Sequence, residues 1–194
     1  MIIGITGGTG CGKTTALKAI EALGGLVLDC DAIYHNLLQT DNALLSAIEN
    51  RFPGTVIGGE LDRKALGKIV FSDKAALQDL NAITHSAVKA EVLRQLPKDG
   101  TFVAIDAIGL FESGLSELCK LTVAITAPKE ARLSRLMARD GISREYALAR
   151  IDAQPTNEAF SCLCDYTLEN NSSPEEFYEK CLGFFRKWAI IEEN

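Results

Sequence analysis

Residues 1–6, Met-Ile-Ile-Gly-Ile-Thr, form a short apolar run that stops at glycines, which predicts a buried strand. Ala16, Ala19, Ile20 and Leu23 then fall at i, i+3, i+4 and i+7, one face of a helix over 14–23. Gly24-Gly25 ends that helix. Residues 26–28 read as a second strand, closed by Asp29-Cys30-Asp31. Strand, glycine loop, helix and strand make a βαβ unit, whose strands run parallel.

From 32 to about 97 the pattern is mostly helical. Leu44, Leu45 and Ile48 mark one helix, and Leu77, Leu80 and Ile83 another that extends through Val88, Val92 and Leu96. Residues 54–59 form a turn-rich break between them. Apolar, β-rich runs return at 101–106 and 121–126, and 165–168 reads as the last strand. Pro128 opens a helix in which Arg132, Arg135 and Arg139 lie at i, i+3 and i+7. Ser173-Pro174-Glu175-Glu176 supplies a cap, a first-turn proline and acidic first-turn residues. The closing helix puts Phe177, Cys181, Phe184, Phe185 and Trp188 on one face, a core stripe. These elements predict an α/β fold with a parallel sheet and a helical insertion between its strands.

Composition narrows the partners. With 194 residues, 47% hydrophobic and 24% charged, the chain can bury a sizeable core. A formal net charge of -6 disfavours a general nucleic-acid partner. No basic leader and no apolar run of spanning length is present, so a cytoplasmic location and no membrane partner are expected. In that compartment the six cysteines are free thiols. Cys162-x-Cys164 has the look of half a metal site, but no second pair accompanies it and the histidines are only His35 and His85. Structural thiols are therefore favoured over zinc.

The chemistry concentrates at residues 7–14, Gly-Gly-Thr-Gly-Cys-Gly-Lys-Thr. The pattern G-x-x-x-x-G-K-T between a strand and a helix predicts a P-loop. Its glycines let backbone N–H groups turn inward around phosphate oxygens, and the helix N-terminus adds partial positive charge. Gly8, Gly10, Cys11, Gly12, Lys13, Thr14 and Thr15 are the expected ATP-binding set. Lys13 reaches the β- and γ-phosphates, and the Thr14 hydroxyl holds Mg²⁺. Cys11, near a helix N-terminus, is expected to have a lowered pKa and to make the loop oxidation-sensitive.

Three further features have two readings each on the residues alone. Asp31, past the second strand, is either a general base for an attacking hydroxyl or the cap of the next helix. Asp106, at the end of the third strand, either orients Mg²⁺ or serves a turn. The arginine stripe is either a solvated face or a closing lid that neutralises a transferring phosphoryl group. On the second reading Arg139 is preferred, with Arg135 next.

The ordered motifs together resemble the dephospho-CoA kinase family over nearly the full chain. Residues 6–14 resemble T-G-G-I-G-S-G-K-S, and Leu28-Asp29-Cys30-Asp31 with His35 resembles its D-A-D segment and following His. Residues 61–66 and 69–71 resemble L-D-R-x-x-L and I-V-F, Thr84-His85 the His-Pro motif, and residues 110–114 L-L-F-E-S-G. Residues 135–140, Gln154 and 165–170 follow in order. The chain departs from the pattern at Ser86, where the family has Pro, and at Asn157 and Phe160, where it often has Arg.

That resemblance implies a three-layer α/β P-loop nucleotide-kinase fold with a parallel five-stranded sheet, in which residues 1–31, 99–127 and 160–194 make the nucleotide-binding core, 32–98 a helical acceptor-binding insertion and 128–159 a lid. It implies transfer of the ATP γ-phosphoryl group to the ribose 3′-hydroxyl of dephospho-CoA. It implies that Asp31 is the base, with Lys13 and Arg139 as the other catalytic residues, and that Asp31, Arg63 and His85 meet the acceptor. His85 is otherwise a packed helix residue. A monomer or weak homo-oligomer working on small molecules is expected. The rival readings are a kinase for another nucleotide or nucleoside, and a P-loop switch that holds ATP without an acceptor.

Overall fold

β1 (Ile2–Thr6) is the central strand of a five-stranded sheet in the computed structural model, which describes residues 1–189. Residues 190–194, assigned from the sequence to the core, lie outside the described residues. The chain continues through α1 (Lys13–Ala22), β2 (Leu26–Asp29), α2 (Cys30–Thr40), α3 (Asn42–Arg51), β3 (Val56–Ile57), β4 (Glu60–Leu61), α4 (Arg63–Val70) and α5 (Lys74–Gln95). It closes with β5 (Val103–Asp106), a 3₁₀ turn at Leu115–Leu118, β6 (Leu121–Thr126), α6 (Lys129–Asp140), α7 (Arg144–Asp152), α8 (Asn157–Leu163), β7 (Tyr166–Glu169) and α9 (Pro174–Ala189). The fold is three-layer α/β with a parallel sheet in the order β2-β5-β1-β6-β7. It divides into two units, one of Met1–Leu28 with the chain from Pro97 onward, the other of Asp29–Leu96.

In the first unit, strand alternation decides the packing. Ile3 and Ile5 share one buried cluster with Val123 and Ile125, with Ala16, Ala19 and Ile20 of α1, and with Phe177, Cys181 and Phe185 of α9. Gly4, between the two isoleucines, faces the other way. A Cβ there would lie 2.6 Å from Leu110 Cδ2 and 3.0 Å from Cys119 Sγ, so the 108–119 segment packs directly on the backbone of β1. The start of α9 is a capping box. The Glu176 amide donates to Ser173 Oγ and the Ser173 amide to Glu176 Oε2, both at 3.2 Å. Asp165, read from the sequence as a strand residue, stands just before β7. Its carboxylate accepts from the Thr122 amide and hydroxyl at 2.7 and 2.9 Å, tying the start of β7 to β6. Between α6 and α7, Leu133, Leu136, Ala147 and Ile151 form a small core of their own.

The second unit is helical because aspartates start its helices. Asp29, Asp41, Asp62 and Asp73 cap α2, α3, α4 and α5, each accepting first-turn amides. The predicted break at 54–59 is instead a small antiparallel hairpin, β3 with β4, turning at Gly58-Gly59. Both glycines have positive φ, 62° and 86°, which suits a tight turn. The Glu49 carboxylate anchors this hairpin by accepting from the amides of Gly54 and Val56, which lowers its pKa. No helix among the described residues is long and apolar enough to cross a membrane.

Candidate phosphate-binding site

The loop between β1 and α1 has its carbonyls bound by protein donors. Lys13 Nζ donates to Gly7 O at 3.0 Å, and the Cys11 amide donates to Gly8 O at 3.2 Å. Arg132 Nε donates to Thr9 O at 2.9 Å, and Arg135 Nη1 to Gly10 O at 3.2 Å. Asn170 Nδ2 donates to Cys11 O at 2.9 Å. Five successive carbonyls are thereby engaged. The amides of Gly10, Gly12, Lys13 and Thr14 have no protein acceptor among the described residues. Such a row of N–H groups, with a helix N-terminus behind it, binds anionic oxygen.

Two glycines are needed for steric reasons. Gly7 has φ 140°, and a Cβ would sit 2.2 Å from the Ile125 carbonyl oxygen. Gly12 caps α1 with φ 102°, and a Cβ would sit 2.2 Å from Asn170 Nδ2. A side chain at either position drives apart the two elements that hold the loop.

The arginine stripe of α6 divides into two parts. Arg132 is buried, and Arg135 is half-buried and also donates from Nη2 to Asn170 Oδ1 at 3.1 Å. Arg139 makes no such contact. Its guanidinium holds the Asp140 carboxylate at 2.7 Å, and Arg150 holds the same carboxylate at 2.7 Å. The two arginines, Arg139 first, lower the Asp140 pKa to about 2. Gln154 and Asn170 are the loop partners that the sequence does not single out beyond their place in the motif order. Gln154 Oε1 accepts from the Thr9 amide at 2.8 Å across 145 positions, a separation that no local pattern reports. Of the two departures near Gln154, Phe160 is buried and Asn157 donates from Nδ2 to the Ala127 carbonyl at 2.8 Å.

The expectation for Cys11 is overturned. The residue is fully buried, and burial raises its thiol pKa, outweighing the opposite pull of Arg132 and Lys13. Asp31 is not a cap either. Asp29 caps α2, and its Oδ1 accepts from the amides of Asp31 at 2.9 Å and Ala32 at 3.0 Å. Asp31 lies in the first turn with an exposed carboxylate, and its backbone carbonyl accepts from His35 Nδ1 at 2.7 Å. Asp106 ends β5, in register with Ile5 of β1. In the second unit, Arg63 opens α4 and lines a cavity of about 340 Å³ with Leu38, Gln39, Gly59, Glu60 and Leu61. His85 lies half-buried midway along α5.

A parallel sheet with this loop after its central strand defines a P-loop nucleotide-binding protein. The dephospho-CoA kinase family model matches residues 1–176. A dephospho-CoA kinase of Carboxydothermus hydrogenoformans is 35% identical over 193 residues, 96% of this chain and 94% of that protein. A crystal structure from Thermus thermophilus, 36% identical, superposes with a TM-score of 0.80 over 97% of both chains. The dephospho-CoA kinase of Campylobacter jejuni, 31% identical, does so with a TM-score of 0.70 over 97% of this chain and 96% of its own. The chain belongs to the dephospho-CoA kinase family.

Proposed function

We propose that this protein transfers the γ-phosphoryl group of ATP to the ribose 3′-hydroxyl of dephospho-CoA. The observation that carries the reading is the loop at 7–14, whose carbonyls are taken up by protein donors while the amides of Gly10, Gly12, Lys13 and Thr14 are left without protein acceptors among the described residues, in a chain of this family. The free loop amides and Lys13 bind the phosphates. Arg139 is the arginine to cover the transferring group. Arg132 and Arg135 are committed to loop carbonyls, whereas Arg139 holds only the adjacent Asp140 carboxylate and its side chain is 60% exposed. Asp31, whose carboxylate has no partner among the described residues, accepts the hydroxyl proton as the new P–O bond forms and ADP leaves. Arg63 and His85 belong to the acceptor side. Catalysis of this kind rests mainly on positioning and electrostatics.

The residues suit Mg²⁺. Thr14 is exposed and its hydroxyl makes no protein hydrogen bond among the described residues, and Asp106 adds a carboxylate at the neighbouring strand end. Both are oxygen donors, the type that Mg²⁺ takes alongside substrate phosphates. When bound, the ion neutralises phosphate charge. A cytoplasmic location and a monomer or weak homo-oligomer without a nucleic-acid partner accompany this reading.

Asp31→Asn tests it. Transfer to the acceptor falls by at least about 100-fold while ATP binding is retained, the scale of lost general-base catalysis. Unchanged turnover in that variant favours a P-loop switch instead.

A further inference from the structure

We propose that Arg132 is a fixed positive charge built behind the phosphate loop, and that Gln154 is the neutral partner that leaves this charge uncancelled. The inference rests on the ATP-binding reading above and adds two positioning residues that touch no substrate.

Arg132 is 3% exposed. A buried guanidinium ordinarily takes a carboxylate, because the cost of leaving water is offset by an opposite charge. Here it takes none among the described residues. Nε donates to Thr9 O at 2.9 Å and Nη2 to Gln154 Oε1 at 3.2 Å. The same Oε1 accepts from the Thr9 amide at 2.8 Å, so the pair grips Thr9 by both its N–H and its carbonyl. The guanidinium also packs against the backbone at Gly8. A Cβ on Gly8 would fall 2.3 Å from Nη2, which places the charge against the backbone that carries the cradle. Its field reaches the loop: after burial, Arg132 is the largest influence on the Cys11 thiol, and it pulls the pKa down.

Holding Thr9 does not by itself require a charge. A glutamate at 154 would offer the same acceptor geometry and would also pair with Arg132. That arrangement is better for folding and worse for a polyanion, because it cancels the cation. An amide at this position keeps the acceptor and spares the charge. The expected consequence is tighter binding of nucleotide phosphates through a charge that never meets them.

Gln154→Glu separates the two roles. ATP·Mg²⁺ affinity is measured by titration calorimetry on the full chain, with thermal unfolding of the free protein alongside. The inference expects an ATP Kd raised about tenfold with a melting temperature unchanged or higher, on the scale of one neutralised nearby charge. An unchanged Kd in folded Gln154→Glu protein overturns it and leaves the kinase reading standing. If that variant does not fold, Arg132→Lys is compared with Arg132→Gln. Retained affinity in the lysine variant and loss in the glutamine variant support the inference, and equal affinities overturn it. Absence of ATP binding by the unchanged protein overturns the kinase reading and this inference together.

Discussion

Asn170 donates from Nδ2 to the carbonyl of Cys11 at 2.9 Å, joining the residue after β7 to the phosphate loop across 159 positions. Its Oδ1 accepts from Arg135, and its amide donates to the Thr126 carbonyl at 2.7 Å. Asn170 therefore couples the loop and α6 through its side chain and the end of the sheet through its backbone. Asn170→Ala leaves the Cys11 carbonyl and the Arg135 fork each short of a partner. The expected loss is about 1–3 kcal/mol for an unsatisfied buried polar group. In a chain of this size that lowers the melting temperature by about 2–12 °C, readable by calorimetry. ATP affinity falls with it, because the loop loses its hold on the carbonyl next to Gly12.

Two glycine substitutions should differ sharply although both positions have positive φ. Gly7→Ala puts a Cβ 2.2 Å from the Ile125 backbone oxygen, which cannot move without breaking β6 from the loop. Gly54→Ala, at φ 84°, meets nothing within 4 Å. Its cost is conformational alone, about 1–2 kcal/mol. Thermal unfolding and ATP titration of the two variants check this. Gly7→Ala loses binding and most of its stability, and Gly54→Ala keeps its ATP affinity.

These contacts show what the sequence could and could not reveal. The phosphate loop is legible because its chemistry is local: a strand, glycines and Lys-Thr within eight positions. The closing helix is equally plain, since Phe177, Cys181 and Phe185 recur at helical spacing and Ser173 and Glu176 cap it reciprocally. The hairpin at β3 and β4 escapes periodicity because each strand has only two residues. Asp29 and Asp31 are both credible caps by residue type. Only the backbone, which enters α2 at Cys30, decides for Asp29. Gln154 and Asn170 are invisible locally, being ordinary polar residues whose partners lie on the other side of the fold.

Cysteine reactivity should follow burial rather than position. Cys162 is exposed, whereas Cys11 is buried with a raised pKa, and burial pushes the Cys181 thiol up to about 12. Brief alkylation of the native protein followed by peptide mapping should mark Cys162 first and leave Cys11 and Cys181 unmarked, with ATP binding intact. Early labelling of Cys11 would show that the loop opens in solution.

The central claim is tested most directly by ADP release from ATP and Mg²⁺, measured with and without dephospho-CoA on the folded protein. The account expects release that depends on dephospho-CoA, with one phosphorylated acceptor formed per ADP. Release that is the same with and without dephospho-CoA, or no release from protein that binds ATP, would contradict it.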